Sequence, residues 1–340
     1  MRINITSFLF IVVSFIFTPN VFAKEINIYS HRQPFLINPF LELFTQETGI
    51  KTNVVYSKKG LAQRLKAEGE NSPADVILTV DIGRLYIYDD LNLLAPVESQ
   101  KLNNNIPVYL RSPDNTWFGL SKRARVIVVN KNKISEGEIT RLEDLADSRW
   151  KGQICSRPGS HVYNRGIMAS VLAAHGEEKA EEWAKKLVSN FTRKPQGNDR
   201  SQIMAVANGE ADLAVANSYY IGIMLSGSAG EEQLEAAKKV SMIFPNQSNR
   251  GAHINISGAG ILKNSPNEDN ANLFLEFLLS KRIQKNMVDK SYEYPIHGDV
   301  MPSKEIASFG VNFKSDQTSV KNFGELNPVA VRLMDRSGWK

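Results

Sequence analysis

Residues 25–30 read Glu-Ile-Asn-Ile-Tyr-Ser, and their alternation of polar and apolar side chains is typical of a strand. The chain then repeats a helical and a strand pattern twice, with a helix over 36–48, a strand over 50–56, a helix over 60–68 and a strand over 76–79. Helices of about ten residues between successive strands are the usual crossovers of a parallel sheet. This opening predicts an α/β fold in which a mixed, mostly parallel sheet is flanked by helices.

The rest of the chain continues the α/β pattern. An apolar strand is predicted over 126–130, directly after Arg123 and Arg125, and this order suggests a crossover between two lobes. A second sheet is predicted to begin at Ile154. The other predicted elements are strands over 213–216, 240–244, 251–256 and 258–262 and helices over 81–91, 164–175, 177–188, 200–208, 267–279, 281–289 and 327–336.

The N-terminus has the features of a secretory signal peptide. Arg2 provides a positive charge, residues 8–17 are apolar apart from Ser14, and 21–23 form a small-x-small cleavage site. The apolar run is too short for a membrane span, although an uncleaved anchor is the alternative. We therefore expect residues 1–23 to be removed and the mature chain to reach the periplasm.

Length and composition favour a soluble globular protein of two domains. The 340 residues exceed one comfortable core, and 42% hydrophobic with 23% charged residues is a globular composition. The net charge of +5 comes without a dense Lys/Arg block, so nucleic-acid binding is not expected. Cys155 is the only cysteine, which excludes an intramolecular disulfide and a thiolate metal cluster. We expect it to be a buried apolar side chain rather than a catalytic thiol.

Motifs of catalysis are scarce. Gly258-Ala259-Gly260 lacks the third glycine and the following helix of a dinucleotide-binding loop, and no Walker or His-Glu-x-x-His motif occurs. The five histidines are scattered, and no nucleophile elbow is present. The sequence therefore favours a protein that is not an enzyme.

Two adjacent tyrosines follow the predicted strand over 213–216. Tyr219 and Tyr220 would lie at the carboxyl end of that strand, where ligand sites cluster in open α/β sheets. Two neighbouring phenols can give two oxygen donors to one hard cation, provided that the metal displaces their protons. The alternative is a pair of packing aromatics with ordinary hydrogen bonds.

Three further residues extend this hypothesis. Tyr163 lies in a turn at the mouth of a predicted helix, where packing or capping is the alternative role. Arg32 follows the first strand and Arg123 precedes the predicted crossover, so both could face a cleft, although surface ion pairs are the alternative. Three phenolates would neutralise a trivalent cation, and arginines could hold a small anion that completes its coordination.

Several strings resemble the periplasmic ferric-ion-binding proteins, the bacterial transferrins that serve iron ABC importers. The resemblance covers nearly the whole mature chain and is most specific at Asn217-Ser218-Tyr219-Tyr220. The strings that carry it are Asn71-Ser72-Pro73-Ala74-Asp75-Val76, Thr79-Val80-Asp81, Trp117-Phe118-Gly119-Leu120, Arg123-Ala124-Arg125-Val126, Lys194-Pro195-Gln196-Gly197, Asp199-Arg200, Asn217-Ser218-Tyr219-Tyr220 and Ile256-Ser257-Gly258.

The resemblance implies a two-lobed periplasmic-binding-protein fold of type II that closes over the ion. The implied N-terminal lobe comprises 24–123 plus 247–300, and the implied C-terminal lobe comprises 124–246 plus 301–340. Tyr219 and Tyr220 match the paired phenolate ligands, and Tyr163 matches the third tyrosine of the three-tyrosine branch.

The first lobe departs from many relatives. Where they carry a histidine, or a histidine followed by a tyrosine, this chain has Gln33 and Pro34, and His31 lies two residues too early. At the position of an acidic ligand in some members the chain has Val80, with Asp81 beside it.

The string Ser30-His31-Arg32-Gln33-Pro34-Phe35-Leu36-Ile37 resembles a branch that uses three tyrosines, and this resemblance implies that carbonate, bicarbonate or a similar synergistic anion completes the iron shell. Arg32 and Arg123 would be its anion-binding partners. His31, Gln33 and Asn217 are auxiliary candidates at the metal site.

The implied function is that of a monomeric solute-binding protein that captures Fe(3+) and delivers it to an inner-membrane ABC permease and its ATPase. One alternative is a receptor of the same fold for a small organic anion or a thiamine- or polyamine-like solute. A remote alternative is an exported hydrolase.

Overall fold

The computed structural model describes residues 24–318 and 320–340, so the predicted signal peptide over 1–23 lies outside the described residues. The described chain forms nine strands and thirteen α-helices, together with short 3-10 turns. Among the described residues, no helix combines the length and the apolarity that a membrane span requires.

The element bounds follow the predicted order of strands and helices. The strands are β1 Glu25–Ser30, β2 Lys51–Tyr56, β3 Val76–Thr79, β4 Phe118–Asn130, β5 Ile154–Cys155, β6 Leu213–Asn217, β7 Val240–Ile243, β8 Ile254–Ile261 and β9 Tyr294–Pro295. The helices are α1 Pro34–Thr48, α2 Leu61–Glu68, α3 Ile82–Asp90, α4 Gln100–Asn105, α5 Val162–His175, α6 Glu177–Ser189, α7 Asp199–Ala207, α8 Ser218–Leu225, α9 Glu231–Lys238, α10 Glu268–Leu278, α11 Lys281–Ser291, α12 Lys304–Ala307 and α13 Val320–Ser337.

The strands form one curled mixed sheet with the order β2-β1-β3-β8-β4-β6-β5, and β7 and β9 also pair with β4. The pairs β1–β2, β1–β3 and β5–β6 are parallel, as the β-α-β opening predicts. The pairs that β3 makes with β8, and that β4 makes with β6, β7, β8 and β9, are antiparallel. The mixed α/β fold is confirmed. Antiparallel pairing is more extensive than predicted, because β8 lies between β3 and β4 and runs antiparallel to both.

The long strand β4 connects the two halves of the sheet. Its first half, through Ala124, pairs with β8, and its second half, from Arg125, pairs with β6 and β7. One buried apolar cluster draws on residues 26–120 and 254–296, and two others draw on residues 124–252 and 294–339. The exact lobe boundaries given above stay a prediction.

One strand prediction is wrong. The predicted strands over 251–256 and 258–262 are the single strand β8, and its glycines are sites of close backbone approach rather than breaks. A Cβ on Gly258 would lie 2.6 Å from the carbonyl oxygen of Phe118, and one on Gly260 would lie 2.7 Å from that of Thr116.

The C-terminal helix is longer than the predicted helix over 327–336. Helix α13 packs against α5 and α6 and also against α3. At Gly324 the helix backbone lies directly against the ring of Tyr86, where a Cβ would not fit. The helix therefore links the half of the molecule that carries α3 to the half that carries α5.

Candidate metal centre

Tyr219 and Tyr220 lie in the first turn of α8, immediately after β6 ends at Asn217. Their ring centroids are 4.3 Å apart with the planes tilted by 36°, and both side chains are half-buried. The N-terminus of a helix carries a partial positive charge, which favours the deprotonated form of a phenol beside it. The helix N-terminus thus offsets part of the cost of burying a charged phenol at this place.

Tyr163 occupies the equivalent place in α5. It is the second residue of that helix, and its backbone N–H donates to Nδ1 of the capping residue His161 at 3.2 Å. The hydroxyl oxygens of Tyr163 and Tyr219 are 3.2 Å apart. The structure therefore brings the three predicted tyrosines together at the N-termini of two helices.

The spacing of the phenols suits a hard metal ion. Two adjacent octahedral ligands, each about 2.0–2.1 Å from a small hard cation, are about 2.9 Å apart. The Tyr163–Tyr219 separation is close to this value. Among the described residues, no group of three or more His, Cys, Asp or Glu side chains could hold a metal. The three phenols are oxygen donors of the kind that a hard cation prefers.

Tyr219 and Tyr220 bind their protons tightly when no metal is present. Burial raises the pKa of Tyr219 well above its usual value, and the neighbouring Tyr163 and Tyr220 raise it further, while the charge of Arg123 lowers it. Burial, followed by the neighbouring Tyr163, likewise raises the pKa of Tyr220. A metal must displace these protons, so metal binding at this site is linked to proton release.

A buried ion cluster that sequence reasoning missed supports Tyr163. Arg125 and Arg157 both bind the carboxylate of Asp199, at 2.9 and 3.2 Å. Their guanidinium carbons lie 5.7 and 5.1 Å from the centroid of the Tyr163 ring, within cation–π range. No local pattern in the sequence marks this cluster, because Asp199 lies in the polar stretch 194–202 and its two arginine partners are distant in the chain.

Asn217 is fully buried at the end of β6. Its Oδ1 accepts a hydrogen bond from Arg125 at 3.2 Å, so it does not cap α8 as an asparagine at this position commonly would. Its Nδ2 has no hydrogen-bond partner among the described residues. A buried donor without a partner is costly, and this one lies two residues before Tyr219.

Arg32 and Arg123 meet at a carboxylate that sequence analysis did not select. Arg123 Nη1 lies 3.4 Å from Glu293, and Arg32 Nη2 lies 3.5 Å from the same carboxylate. Both guanidinium groups also donate to the hydroxyl of Ser257. The sequence suggested only a turn at Glu293, and no local pattern distinguishes it from the other acidic residues.

The first-lobe candidates are placed differently. His31 is buried, its Nδ1 lies 2.7 Å from the Ser57 carbonyl oxygen, and its Nε2 lies 2.7 Å from the hydroxyl of Tyr88. Burial lowers its pKa, and both ring nitrogens are engaged, so it offers no free donor to a metal in this conformation. Gln33 is exposed at the start of α1.

The residues beside the acidic position of some relatives have structural partners. Asp81 caps α3 by accepting from the backbone N–H of Arg84 at 3.0 Å. The carbonyl oxygen of Val80 accepts from Arg123.

Comparison with known proteins identifies the family. Residues 71–315 match the family model of the bacterial extracellular solute-binding proteins. Iron uptake protein A1 of Synechocystis is 47% identical over 318 residues, covering 93% of this chain and 88% of that protein. The major ferric iron-binding protein of Neisseria meningitidis is 30% identical, covering 93% of each chain.

A solved structure is similar over nearly its whole length. The Trichodesmium protein IdiA (FutA), solved in complex with iron and citrate ligands, superposes with a TM-score of 0.88 at 47% identity. The match covers 93% of this chain and all of that one.

Proposed function

The chain belongs to the bacterial extracellular solute-binding proteins, and on that premise we propose that it captures ferric iron in the periplasm for an ABC importer. The observation that carries the proposal is the convergence of Tyr163 and Tyr219, whose hydroxyl oxygens are 3.2 Å apart, with Tyr220 beside them. The names of the Synechocystis and Neisseria relatives, and the iron in the Trichodesmium structure, support ferric iron as the solute.

The ligand set is Tyr163, Tyr219 and Tyr220. Three phenolates match the charge of Fe(3+), and hard trivalent cations prefer oxygen donors. The positive ends of α5 and α8, together with the charges of Arg123 near Tyr219 and Arg157 near Tyr220, offset part of the cost of burying charged phenols.

A small anion completes the coordination. Arg32 and Arg123 lie in one cluster and supply the positive charge that an oxyanion such as carbonate or bicarbonate needs. The partnerless Nδ2 of Asn217 is a further donor for an anion or a water at the metal. With His31 engaged elsewhere, the anion takes the place of a first-lobe protein ligand.

Delivery follows from closure of the two lobes, which pivot where β4 and β8 pass between them. The iron-loaded monomer presents its closed form to an inner-membrane permease and its ATPase, after residues 1–23 have been removed. The protein has no catalytic role. A receptor for an organic solute is less well supported, because the relatives described above carry iron in their names or their structures.

Metal analysis of the protein purified from periplasmic extract tests this function. We expect one iron per chain, and lower contents of zinc and copper. Protein that carries no iron and cannot be loaded with ferric iron would refute the proposal.

A further inference from the structure

The two anion-binding arginines are held by one buried carboxylate. Glu293 is 6% exposed and Arg123 is 2% exposed. Arg123 reaches one oxygen of the Glu293 carboxylate and Arg32 reaches the other. We call these three side chains the Arg32–Arg123–Glu293 cluster.

Two serines fix the orientation of the cluster. The Ser121 hydroxyl donates to the Glu293 carboxylate. The Ser257 hydroxyl donates to it at 3.2 Å and accepts from both arginines. Because the single proton of Ser257 goes to Glu293, its oxygen is free to accept from the two guanidinium groups. The carboxylate is thus held in a fixed orientation by four side chains, unlike an ion pair on the surface.

The cluster carries one net positive charge. Burial alone would raise the pKa of the Glu293 carboxyl, but the charges of Arg123 and Arg32 hold it below its usual value, so it is ionised at neutral pH. Two guanidinium charges and one carboxylate charge sum to a single positive charge. In a buried site this charge is weakly screened and acts strongly on any ion beside it.

We propose that Glu293 sets the charge of the anion that binds with iron: by cancelling one of two arginine charges, it fits the site to a small singly charged oxyanion. The inference rests on the proposed function, because three phenolates neutralise the ferric ion and leave the anion to be balanced by this cluster. Glu293 is a positioning residue, since it acts through Arg32 and Arg123 rather than on the metal. The buried group of Arg125, Arg157 and Asp199 also has one net positive charge. Because none of the variants described below changes this group, its charge does not contribute to the differences between them.

Acetate and oxalate provide the test, because they are small carboxylates that differ by one charge at neutral pH and neither has a further proton to lose when it binds the metal. The mature protein is titrated with ferric iron in each anion, and apparent iron affinity is read from the phenolate-to-iron absorption band. The quantity compared between variants is the ratio of the two affinities, which cancels the intrinsic preference of iron for oxalate. Glu293→Gln should shift this ratio toward oxalate by about tenfold, the order expected for one unit charge acting over several ångströms.

Three further variants separate charge from structure. Glu293→Asp keeps the charge and should keep the wild-type ratio. Arg32→Gln removes one positive charge and should shift the ratio toward acetate. The double variant Arg32→Gln/Glu293→Gln restores one net positive charge and should return the ratio to the wild-type value, which a merely structural role of Glu293 would not produce. If Glu293→Gln alone does not fold, the step from Arg32→Gln to the double variant measures the same charge.

The outcomes distinguish the two proposals. A ratio that stays within about twofold of wild type in Glu293→Gln, or that fails to move between Arg32→Gln and the double variant, overturns the role of Glu293. Absence of the absorption band in the wild-type protein with every anion overturns the proposed iron function instead.

Discussion

The hydroxyl oxygens of Tyr163 and Tyr219 lie 3.2 Å apart, although 56 positions separate the two residues in the chain. Each residue is in the first turn of a helix, α5 for Tyr163 and α8 for Tyr219, so two helix N-termini point at the same place. Two half-buried phenols in hydrogen-bond contact, with a third beside them, form an oxygen-rich site. The proposed capture of iron depends on this convergence of phenols.

Removing one phenol should abolish tight iron binding while leaving the fold intact. Tyr219→Phe deletes a metal ligand, and we expect the ferric affinity to fall more than about 100-fold, beyond the loss typical of an outer-shell partner. The free energy of unfolding should change by only about 1 kcal/mol, the value of one hydrogen bond. Chelator competition and chemical denaturation measure the two quantities.

Tyr29→Phe is the matched control. It also removes one hydroxyl with one hydrogen bond, here to Glu68 at 2.7 Å, but away from the three phenols. Its iron affinity should equal that of wild type. Equal losses in the two variants would mean that Tyr219 is not a ligand.

Iron binding should release protons and weaken as the pH falls. The pKa values of Tyr219 and Tyr220 are raised, so both phenols are protonated at neutral pH in the free protein, and only their deprotonated forms bind the metal. Between about pH 6 and 8 the affinity should rise with pH, and each phenol should release about one proton per iron bound. Titration in weakly buffered solution, corrected for iron hydrolysis, counts the protons. Binding without proton release would contradict phenolate coordination.

The buried carboxylate beside Tyr163 should be important for stability. Asp199→Asn leaves Arg125 and Arg157 without their counter-ion in a site where Asp199 is fully buried, and we expect a loss of about 3–5 kcal/mol in the free energy of unfolding. Asp147→Asn, which breaks an exposed pair with Arg149, should cost less than about 1 kcal/mol. Equal losses of unfolding free energy in denaturant titration would show that the buried ion pairs of Asp199 stabilise the fold no more than the exposed pair does.

The close contact between β4 and β8 should tolerate no side chain at Gly258. Gly258→Ala would place a Cβ 2.6 Å from the Phe118 carbonyl oxygen and 2.6 Å from Leu85, and we expect a loss of about 1–3 kcal/mol. Gly298→Ala has open space around the added carbon and should stay within about 0.5 kcal/mol of wild type. A thermal melt of both variants decides the point, and a Gly258 variant as stable as wild type would contradict so close an approach of the two strands.

Local patterns predicted what depends on local chemistry. The positions of Tyr219 and Tyr220 after the strand over 213–216, and of Tyr163 at the start of a helix, could be predicted because strand ends and helix starts are visible in the residue pattern. Their role as metal ligands stays a prediction. The absence of a free nitrogen on His31 could not be predicted, since its partners come from other parts of the chain.

Tertiary pairing explains the other misses. Glu293 and Asp199 are two of 36 acidic residues, and only the folded chain places each between two arginines. The glycines of β8 suggested a break between two strands, because a sequence does not show whether a glycine marks a turn or a close backbone contact. The antiparallel pairing of β4 and β8 was also missed, because the two strands are far apart in the chain and the sequence does not show which strands become neighbours.

The most direct test of the central claim is a ferric iron titration of the metal-free mature protein in bicarbonate at neutral pH, followed by visible absorption. We expect a red-orange phenolate-to-iron band that saturates at one equivalent and is lost when Tyr163, Tyr219 and Tyr220 are all replaced by phenylalanine. A protein that stays colourless on iron addition, or whose band survives the triple replacement, would contradict iron capture by these three tyrosines.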